Sequence, residues 1–318
     1  MRSPPAIPKQ IGCFADIPEK EIRRAMRSKA GLRWRTGPFI IHLRGDAPNL
    51  AAQMRLLYAH HPVLSDSPDE IANFHARLVR GKGMRRWFRP QIQFLAGGPS
   101  PLAPFPLDHA LPLLEWGVNF CIGSRANHYV ILHAAVVARD GQAVILPGTP
   151  GSGKSTLAAA LSLRGWRILS DEFALISPDS MTITGLARPV ALKNSSIEAI
   201  RTFEPSATLG PLFPKTRKGT VSHLKPPADS VAQMDLPVPP VLVVFPNYRE
   251  DAEGAVLTEF PQDESVFVRL AGNAFNYELQ GKQGFQTISK LFRSCPAFRL
   301  SYRDLDDGVA SMNALMRH

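Results

Sequence analysis

Residues 145–172 read ILPGTPGSGKSTLAAALSLRGWRILSDE. An apolar run enters a glycine-rich turn, an Ala/Leu stretch follows, and two adjacent acids close the segment. From Gly148 to Ser155 the pattern G-x-x-x-x-G-K-S is complete. Glycines at such a turn let successive backbone N–H groups point inward around an anion. The helix beginning there adds the positive end of its dipole. Lys154 is expected to reach the β- and γ-phosphates of ATP, and the Ser155 hydroxyl to ligate Mg²⁺. The phosphate contacts are therefore assigned to Gly148, Thr149, Pro150, Gly151, Ser152, Gly153, Lys154, Ser155 and Thr156.

The two acids, Asp171 and Glu172, begin 17 positions after Lys154. A carboxylate at a strand end beside such a loop can hold Mg²⁺, or it can take a proton from an attacking hydroxyl. The competing interpretation is an ordinary surface turn after a strand. Motor ATPases place their acid on a distant strand, whereas this short spacing fits a small kinase.

Composition narrows the class. The chain has 318 residues, 44% hydrophobic and 20% charged, as soluble globular proteins do. No apolar run reaches the roughly 18–20 residues of a membrane span. The opening MRSPPAIPKQ has no apolar core behind its charge, so no export signal is expected. Cys13, Cys121 and Cys295 stand far apart, which predicts unpaired thiols and a cytoplasmic setting. The net charge of +10 lies in front: residues 1–100 carry 17 Lys/Arg against 7 Asp/Glu, and the remainder is balanced.

The pattern predicts a basic N-terminal α+β module over 1–97, suited to docking a substrate. A catalytic α/β domain over 108–318 follows a Pro-rich linker, GPSPLAPFPLD. In the front module IPEKEIRRAMRSK, APNLAAQMRLLYAHHP and DSPDEIANFHARLVRG read as helices; GPFIIHLRGD and RPQIQFLAGG read as strands. Residues 1–15 read as a loose arm. In the second module ALPLLEWGVNFCIGSRA reads as a helix, and Asp140-Gly141 marks a hairpin turn. Gly165 is placed at the C′ position of the helix after the glycine-rich turn. WRILSDEFALIS, MTITGLARPV, VLVVFPNY, AVLTEF and AFRLSY read as strands. Ser195 is placed as N-cap of a helix with Glu198 three residues on. Residues 205–240, with eight prolines, read as a long loop. Helices are expected near 280–294 and from Asp304.

The order of a His-containing strand, a hairpin, the glycine-rich loop, RGWRILSDE and an apolar strand resembles the catalytic domain of HPr kinase/phosphorylase over 126–177. More of the chain is similar to HPr-kinase-related kinase A, through LEWGVNFCIGSRANHYVILHAAVV, ARPVALKN, KGTVSHLKPP and FRLSYRDLD. The resemblance implies a P-loop kinase fold of the HPr kinase/phosphoenolpyruvate carboxykinase-like type. It implies Lys154 and Ser155 as phosphate and metal contacts, Asp171 as the catalytic base and Glu172 as the second, metal-binding acid. It also implies that His133 supports Asp171; alone, a His on a strand is more often a core residue. Against HPr kinase the chain departs in Glu172, where that family has Asp. It also departs in ARPVALKNSS, which replaces a Glu-bearing segment, and in the front module.

Two further stretches invite a ligand. KTRKGTVSHLKPP offers Lys215, Arg217, Lys218, Thr220 and His223, to clamp phosphates or an acidic partner or to form a solvated basic loop. GKGMRRWFRP mixes Arg with aromatics, but no nucleic-acid-binding motif accompanies it. The sequence thus predicts an ATP- and Mg²⁺-dependent kinase acting on a hydroxyl, chiefly serine of a protein or peptide. A small-molecule kinase on the same scaffold and a non-catalytic ATP-binding switch are the alternatives. No membrane span or nucleic-acid partner is expected, and homo-oligomerisation is left open.

Overall fold

The structure is a computed structural model, and it describes residues 9–66, 71–81, 83–86, 88–261 and 263–317. The chain is mixed α/β and divides into two units, residues 1–122 and 123–318.

The N-terminal unit is built on one mixed sheet. Its elements are β1 (Gln10–Cys13), α1 (Glu19–Arg27), β2 (Leu32–Thr36), β3 (Phe39–Arg44), α2 (Leu50–Leu57), β4 (Pro62–Leu64), β5 (Phe74–Arg80), β6 (Gln91–Leu95), β7 (Phe105–Pro106) and α3 (Ala110–Arg125). The strand order is β1-β4-β2-β3-β5-β6-β7. Phe14, Trp34 and Tyr58 form a buried aromatic cluster, with centroids 5.9–6.2 Å apart. The Tyr58 hydroxyl donates to Glu115 at 2.6 Å, which satisfies a buried carboxylate. Part of the basic charge is paired within the unit, through Arg23–Glu19 (2.6 Å), Arg27–Asp46 (2.7 Å) and Arg33–Asp66 (3.2 Å).

Three expectations for this unit change. The stretch expected as a helix within 65–81 is a strand from Phe74: Phe74, Ala76 and Leu78 are buried while His75 and Arg77 are exposed, a period of two. Residues 67–70 of that stretch lie outside the described residues. The expected boundary at 97–107 moves into α3, because β7 pairs with β6 and Gly117 packs on the Phe94 ring. The arm expected over 1–15 contains β1, paired with β4, while residues 1–8 lie outside the described residues. Of GKGMRRWFRP, residues 83–86 form one 3₁₀ turn, and residues 82 and 87 lie outside the described residues.

The C-terminal unit opens with β8 (Val130–Arg139) and β9 (Gln142–Pro147), joined by the expected hairpin. Asp140 and Gly141 have φ of 51° and 75°, both in the left-handed region that a type I′ turn needs. Next come α4 (Lys154–Leu163), β10 (Arg167–Ser170), β11 (Phe173–Ile176), β12 (Ile183–Thr184), β13 (Val190–Lys193) and α5 (Ser195–Phe203). The chain continues through β14 (Phe213–Thr216), β15 (Gly219–Leu224), α6 (Ala228–Ala232), β16 (Pro240–Tyr248), β17 (Val256–Glu259) and α7 (Glu264–Gly272). It ends with α8 (Tyr277–Ser294), β18 (Ala297–Tyr302) and α9 (Leu305–Leu315).

The main sheet runs β12-β11-β8-β9-β16-β18-β17, with β10 also paired to β8. Among the described residues its parallel neighbour pairs are β9–β16 and β16–β18. Alternation along β8 separates two cores. Ala135 and Val137 join the layer containing α4 and α9, while Leu132, Ala134 and Val136 join the layer containing α7 and α8. The α4 helix follows from its run of Ala158–Ala160 between Leu157 and Leu161, all fully buried. Leu161→Ala would cost about 2–5 kcal/mol. Gly165 (φ 86°) terminates α4 as expected, with the Trp166 N–H returning to the Leu161 carbonyl at 3.1 Å.

Residues 205–240 are not a structureless loop. They hold β14, β15 and α6, and β15 joins β13 and β14 in a separate three-stranded sheet. The prolines concealed this, although all but Pro214 in β14 and Pro240 at the start of β16 fall between elements. The N-cap of α5 is Asn194 and not Ser195; the cap's own side chain is used elsewhere, as described below. Helix α7 is not signalled by the sequence pattern.

Candidate active site

The glycine-rich loop 148–153 spans the C-terminal ends of the parallel strands. β9 ends at Pro147 and feeds it, while β16 and β18 end at Tyr248 and Tyr302 beside it. The Tyr248 N–H donates to the Ser152 carbonyl at 3.1 Å, and the Tyr302 hydroxyl to the Gly153 carbonyl at 3.2 Å. Gly153 has φ of 93°, and a Cβ there would lie 2.5 Å from the Tyr302 hydroxyl oxygen. The position therefore requires glycine twice over, for its backbone angle and for its space.

Lys154, the first residue of α4, turns its ammonium back over the loop and donates to the Gly148 carbonyl at 2.9 Å. Burial lowers its proton affinity; Glu172 and Asp171 oppose that shift, and Lys193 and Lys218 reinforce it. All four groups are thus close enough to act on it. The Ser152 hydroxyl is buried without a hydrogen-bond partner among the described residues.

The acids sit in a break. β10 and β11 both pair with β8, Ser170 opposite Val136 and Phe173 opposite His133, so one strand is interrupted at Asp171-Glu172. The expected single strand over WRILSDEFALIS is therefore two. The Ser170 hydroxyl makes the break, accepting from the N–H groups of Glu172 (3.2 Å) and Phe173 (3.0 Å). The two carboxylates consequently take different partners. Asp171 Oδ2 accepts from the Ala191 N–H of β13 at 2.8 Å. Glu172 reaches His133 of β8, with Oε1 3.5 Å from Nδ1.

Burial pushes the Asp171 carboxyl up to about 6, and the Glu172 charge adds to the rise. The Ala191 N–H, Arg188 and Lys193 restrain it. His133 moves the other way. Burial lowers its affinity for a proton, Glu172 raises it, and Lys154, Lys218 and Lys193 lower it again. Phe275 stands edge-on to the imidazole, with centroids 5.4 Å apart. The structure sets His133 beside Glu172, the neighbour of the acid it was expected to support, and the turn at Ser170 gives the two carboxylates different partners.

Of the residues expected on a basic loop, the β14–β15 hairpin carries Lys215, Lys218, Thr220 and His223. Lys215 lies in β14, Lys218 in the turn, Thr220 near the start of β15, and His223 is buried within β15 opposite Ala191. His223 is therefore placed inside the small sheet and not on a loop surface. Lys218 alone of the four acts on Lys154, His133 and Lys193. Sequence reasoning missed Arg188 and Lys193. Both belong to ARPVALKN, whose alternation Val190–Lys193 signals a strand that aims every second residue one way.

Among the described residues no group of three or more His, Cys, Asp or Glu converges as a metal site. One or two carboxylates suffice where phosphate oxygens complete the shell of a hydrated divalent cation. A glycine-rich loop at a helix start, a lysine folded over it, a buried hydroxyl without a partner among the described residues and a carboxylate pushed up to about 6 suit an anionic phosphate ligand and a proton transfer beside it.

The fold and site define a mixed α/β protein with a glycine-rich loop between strand and helix. Two curated proteins extend that class: the HPr kinase/phosphorylases of Xanthomonas euvesicatoria pv. vesicatoria (strain 85-10) and Xanthomonas axonopodis pv. citri (strain 306). Each is 27% identical over 193 residues, covering 51% of this chain and 60% of the relative. The chain thus has an HPr kinase-like relationship, and it spans about 60% of the length of the curated relatives it matches. No family model matches the chain. The solved HPr(Ser) kinase/phosphatase from Coxiella burnetii is 10% identical and covers 59% of this chain and 97% of that one. Its TM-score of 0.27 is too low for the superposition to bear on the fold. No helix among the described residues is long and apolar enough to cross a membrane.

Proposed function

We propose that residues 123–318 form an ATP- and Mg²⁺-dependent kinase that phosphorylates a hydroxyl, a serine of a protein or peptide. The observation that carries this reading is the placement of Asp171. Its carboxylate is fixed by the Ala191 N–H at the strand break, titrates near 6, and lies within electrostatic reach of Lys154. A base with such a pKa is ionised at neutral pH and still accepts a proton readily.

Mg-ATP, when bound, supplies the phosphoryl group and the divalent charge. The loop amides of residues 148–153, Lys154 and Thr156 bind its phosphates, and the orphaned Ser152 hydroxyl gains a partner. Ser155 and Glu172 hold the cation, with His133 restraining Glu172. Asp171 takes the acceptor's proton as the acceptor oxygen bonds to the γ-phosphorus and the bond to the bridging oxygen breaks. Lys154 and the loop amides hold the departing diphosphate. The protein acceptor rests on the HPr kinase names of the relatives. The basic N-terminal unit is the docking surface in this reading.

The test is transfer of label from γ-³²P-ATP to seryl proteins and peptides by the wild type and by Asp171→Asn. Transfer by the wild type is expected, with a loss of about 10²–10⁴-fold in the variant and nearly unchanged ATP binding. Full transfer by Asp171→Asn at saturating ATP would remove Asp171 from the reaction. ATP binding without any transfer would make the protein a nucleotide-gated switch.

A further inference from the structure

Lys193 lies outside the glycine-rich loop, and the surrounding structure fixes its backbone. It ends β13, two residues beyond Ala191, whose N–H holds the Asp171 carboxylate at 2.8 Å. Positions 191 and 193 share one side of the strand. The Lys193 backbone is held at both ends by a single side chain: its N–H donates to the Ser196 hydroxyl at 2.7 Å, and its carbonyl accepts from that hydroxyl at 2.7 Å.

The next residue latches a second segment onto the same place. Asn194 Oδ1 accepts from the Thr220 N–H at 3.0 Å, and its backbone N–H donates to the Thr220 carbonyl at 2.9 Å. Asn194 holds φ of 52° and ψ of −123°, a costly conformation for a residue with a side chain. Gly219 leaves the room this needs, since a Cβ there would lie 2.2 Å from Asn194 Oδ1. The latch brings the β14–β15 turn, and Lys218 with it, up to Lys193.

Burial and then the Lys218 charge act against the charged form of Lys193, while Glu172 and Asp171 favour it; Lys193 and Lys218 both act against the charged form of Lys154. The two carboxylates offset part of the repulsion among the three ammonium groups and of the cost of burying them, and a phosphate anion would offset more. In the kinase reading the loop amides serve the inner phosphates and Lys154 reaches the β- and γ-phosphates. Lys193 is instead anchored on the strand that fixes the base, where the charge of a transferring phosphoryl group spreads over its outer oxygens.

We propose that Lys193 is a further catalytic residue, whose ammonium contacts the terminal phosphoryl group from the β13 side, facing Lys154 across it, with Asn194 and Gly219 as positioning residues. This rests on the kinase reading given above. In the transfer Lys193 gives up no proton; it stays bound to the phosphoryl oxygens while the bond to the bridging oxygen breaks and the bond to the acceptor forms.

The test compares affinities of the full chain for a non-hydrolysable ATP analogue with an imido bridge and for ADP, both with Mg²⁺, by calorimetry. Lys193→Met should weaken the triphosphate analogue by about tenfold or more and ADP by less than about twofold, the loss of one charge-assisted contact. Lys193→Arg should recover much of the difference. Lys154→Met should weaken both nucleotides, which sets the contrast. Equal losses for both nucleotides in Lys193→Met, or no loss for either, would overturn the proposal and leave the kinase reading standing. If the wild type binds neither nucleotide, the kinase reading falls and this inference falls with it. Should Lys193→Met not fold, Lys193→Gln carries the same comparison: a selective loss of the triphosphate analogue is expected, and equal losses or none would overturn the proposal.

Discussion

The Ala191 N–H donates to Asp171 Oδ2 at 2.8 Å, and through this bond the edge of the small sheet holds an acid of the large one. The bond favours ionised Asp171 but does not outweigh burial and Glu172, so the carboxyl titrates at about 6 against an ordinary 3.8. Between those values the folded protein binds more protons than the unfolded chain. Stability therefore falls as pH rises through that window, and the deficit is complete above it. It amounts to at most about 3 kcal/mol. Asp171→Asn should accordingly raise the Tm of the ligand-free protein at pH 7.5 and leave it nearly unchanged at pH 4. Thermal denaturation at the two pH values checks this; equal destabilisation at both would contradict the assigned charge environment.

His133 should be neutral in the ligand-free protein at pH 7. Burial and the lysines 154, 218 and 193 act against its charged form, and Glu172 is the group opposing them. Histidine NMR titration should find its midpoint below 6.5. In Glu172→Gln the midpoint should move further down; an upward movement would mean that Glu172 is not the group facing the imidazole.

Lys154→Ala should weaken Mg-ATP by about 10–100-fold, the worth of one or two charge-assisted hydrogen bonds. Without ligand the ammonium donates to the loop's own carbonyls, and the repulsion of Lys193 and Lys218 works against the attraction of Glu172 and Asp171. The variant should therefore fold and melt close to the wild type. Nucleotide-dependent thermal shift measures both, and an undiminished shift with Mg-ATP would remove Lys154 from the binding site.

Gly219→Ala probes the latch beside Lys193. The substitution forces a side chain onto φ of 85° and presses Cβ to 2.2 Å from Asn194 Oδ1. A loss of about 1–3 kcal/mol is expected in chemical denaturation. Asn194→Gly in the same chain should return part of it, by removing the side chain struck and relaxing the strained φ. If Gly219→Ala is neutral, the turn is not held against Asn194.

The loop, its lysine and the two acids were legible because each is a local pattern: a glycine spacing, a helix start, a strand end. The hairpin turn at Asp140-Gly141 and the stop at Gly165 were legible for the same reason, since single residues supply the left-handed angles. What failed depended on partners remote in sequence. The strand at Phe74–Arg80 took its register from β3 and β6, against its acidic, helix-like approach. The break at Asp171-Glu172 needs β8 as a template before the Ser170 hydroxyl can interrupt it. Lys193 is one lysine among many until β13 is paired with β15 and set against Asp171. Prolines at 205–240 argued for a loop, but most of them lie between the elements and leave the strands of the small sheet free to pair.

The contact between Gly153 and Tyr302 allows two costs to be separated. Gly153→Ala places Cβ 2.5 Å from the Tyr302 hydroxyl oxygen and imposes φ of 93° on an alanine. The loop's carbonyl at Gly153 also accepts from that hydroxyl at 3.2 Å, so the tyrosine both crowds and holds the loop. Tyr302→Phe alone removes the bond and should cost about 1 kcal/mol. Gly153→Ala alone should cost more, about 2–4 kcal/mol, from steric overlap and backbone strain together. In the double variant the tightest contact is gone, while the approach to Tyr248 Cβ at 3.2 Å and the strained φ remain. Its loss should be smaller than the sum of the two single losses, by about 1 kcal/mol or more of coupling. Denaturant melts of the four proteins give the cycle. Simple additivity would mean that the loop moves away from Tyr302 freely. The loop could then not be described as pinned by the end of β18, and mutations at Tyr302 would be expected to leave nucleotide affinity untouched.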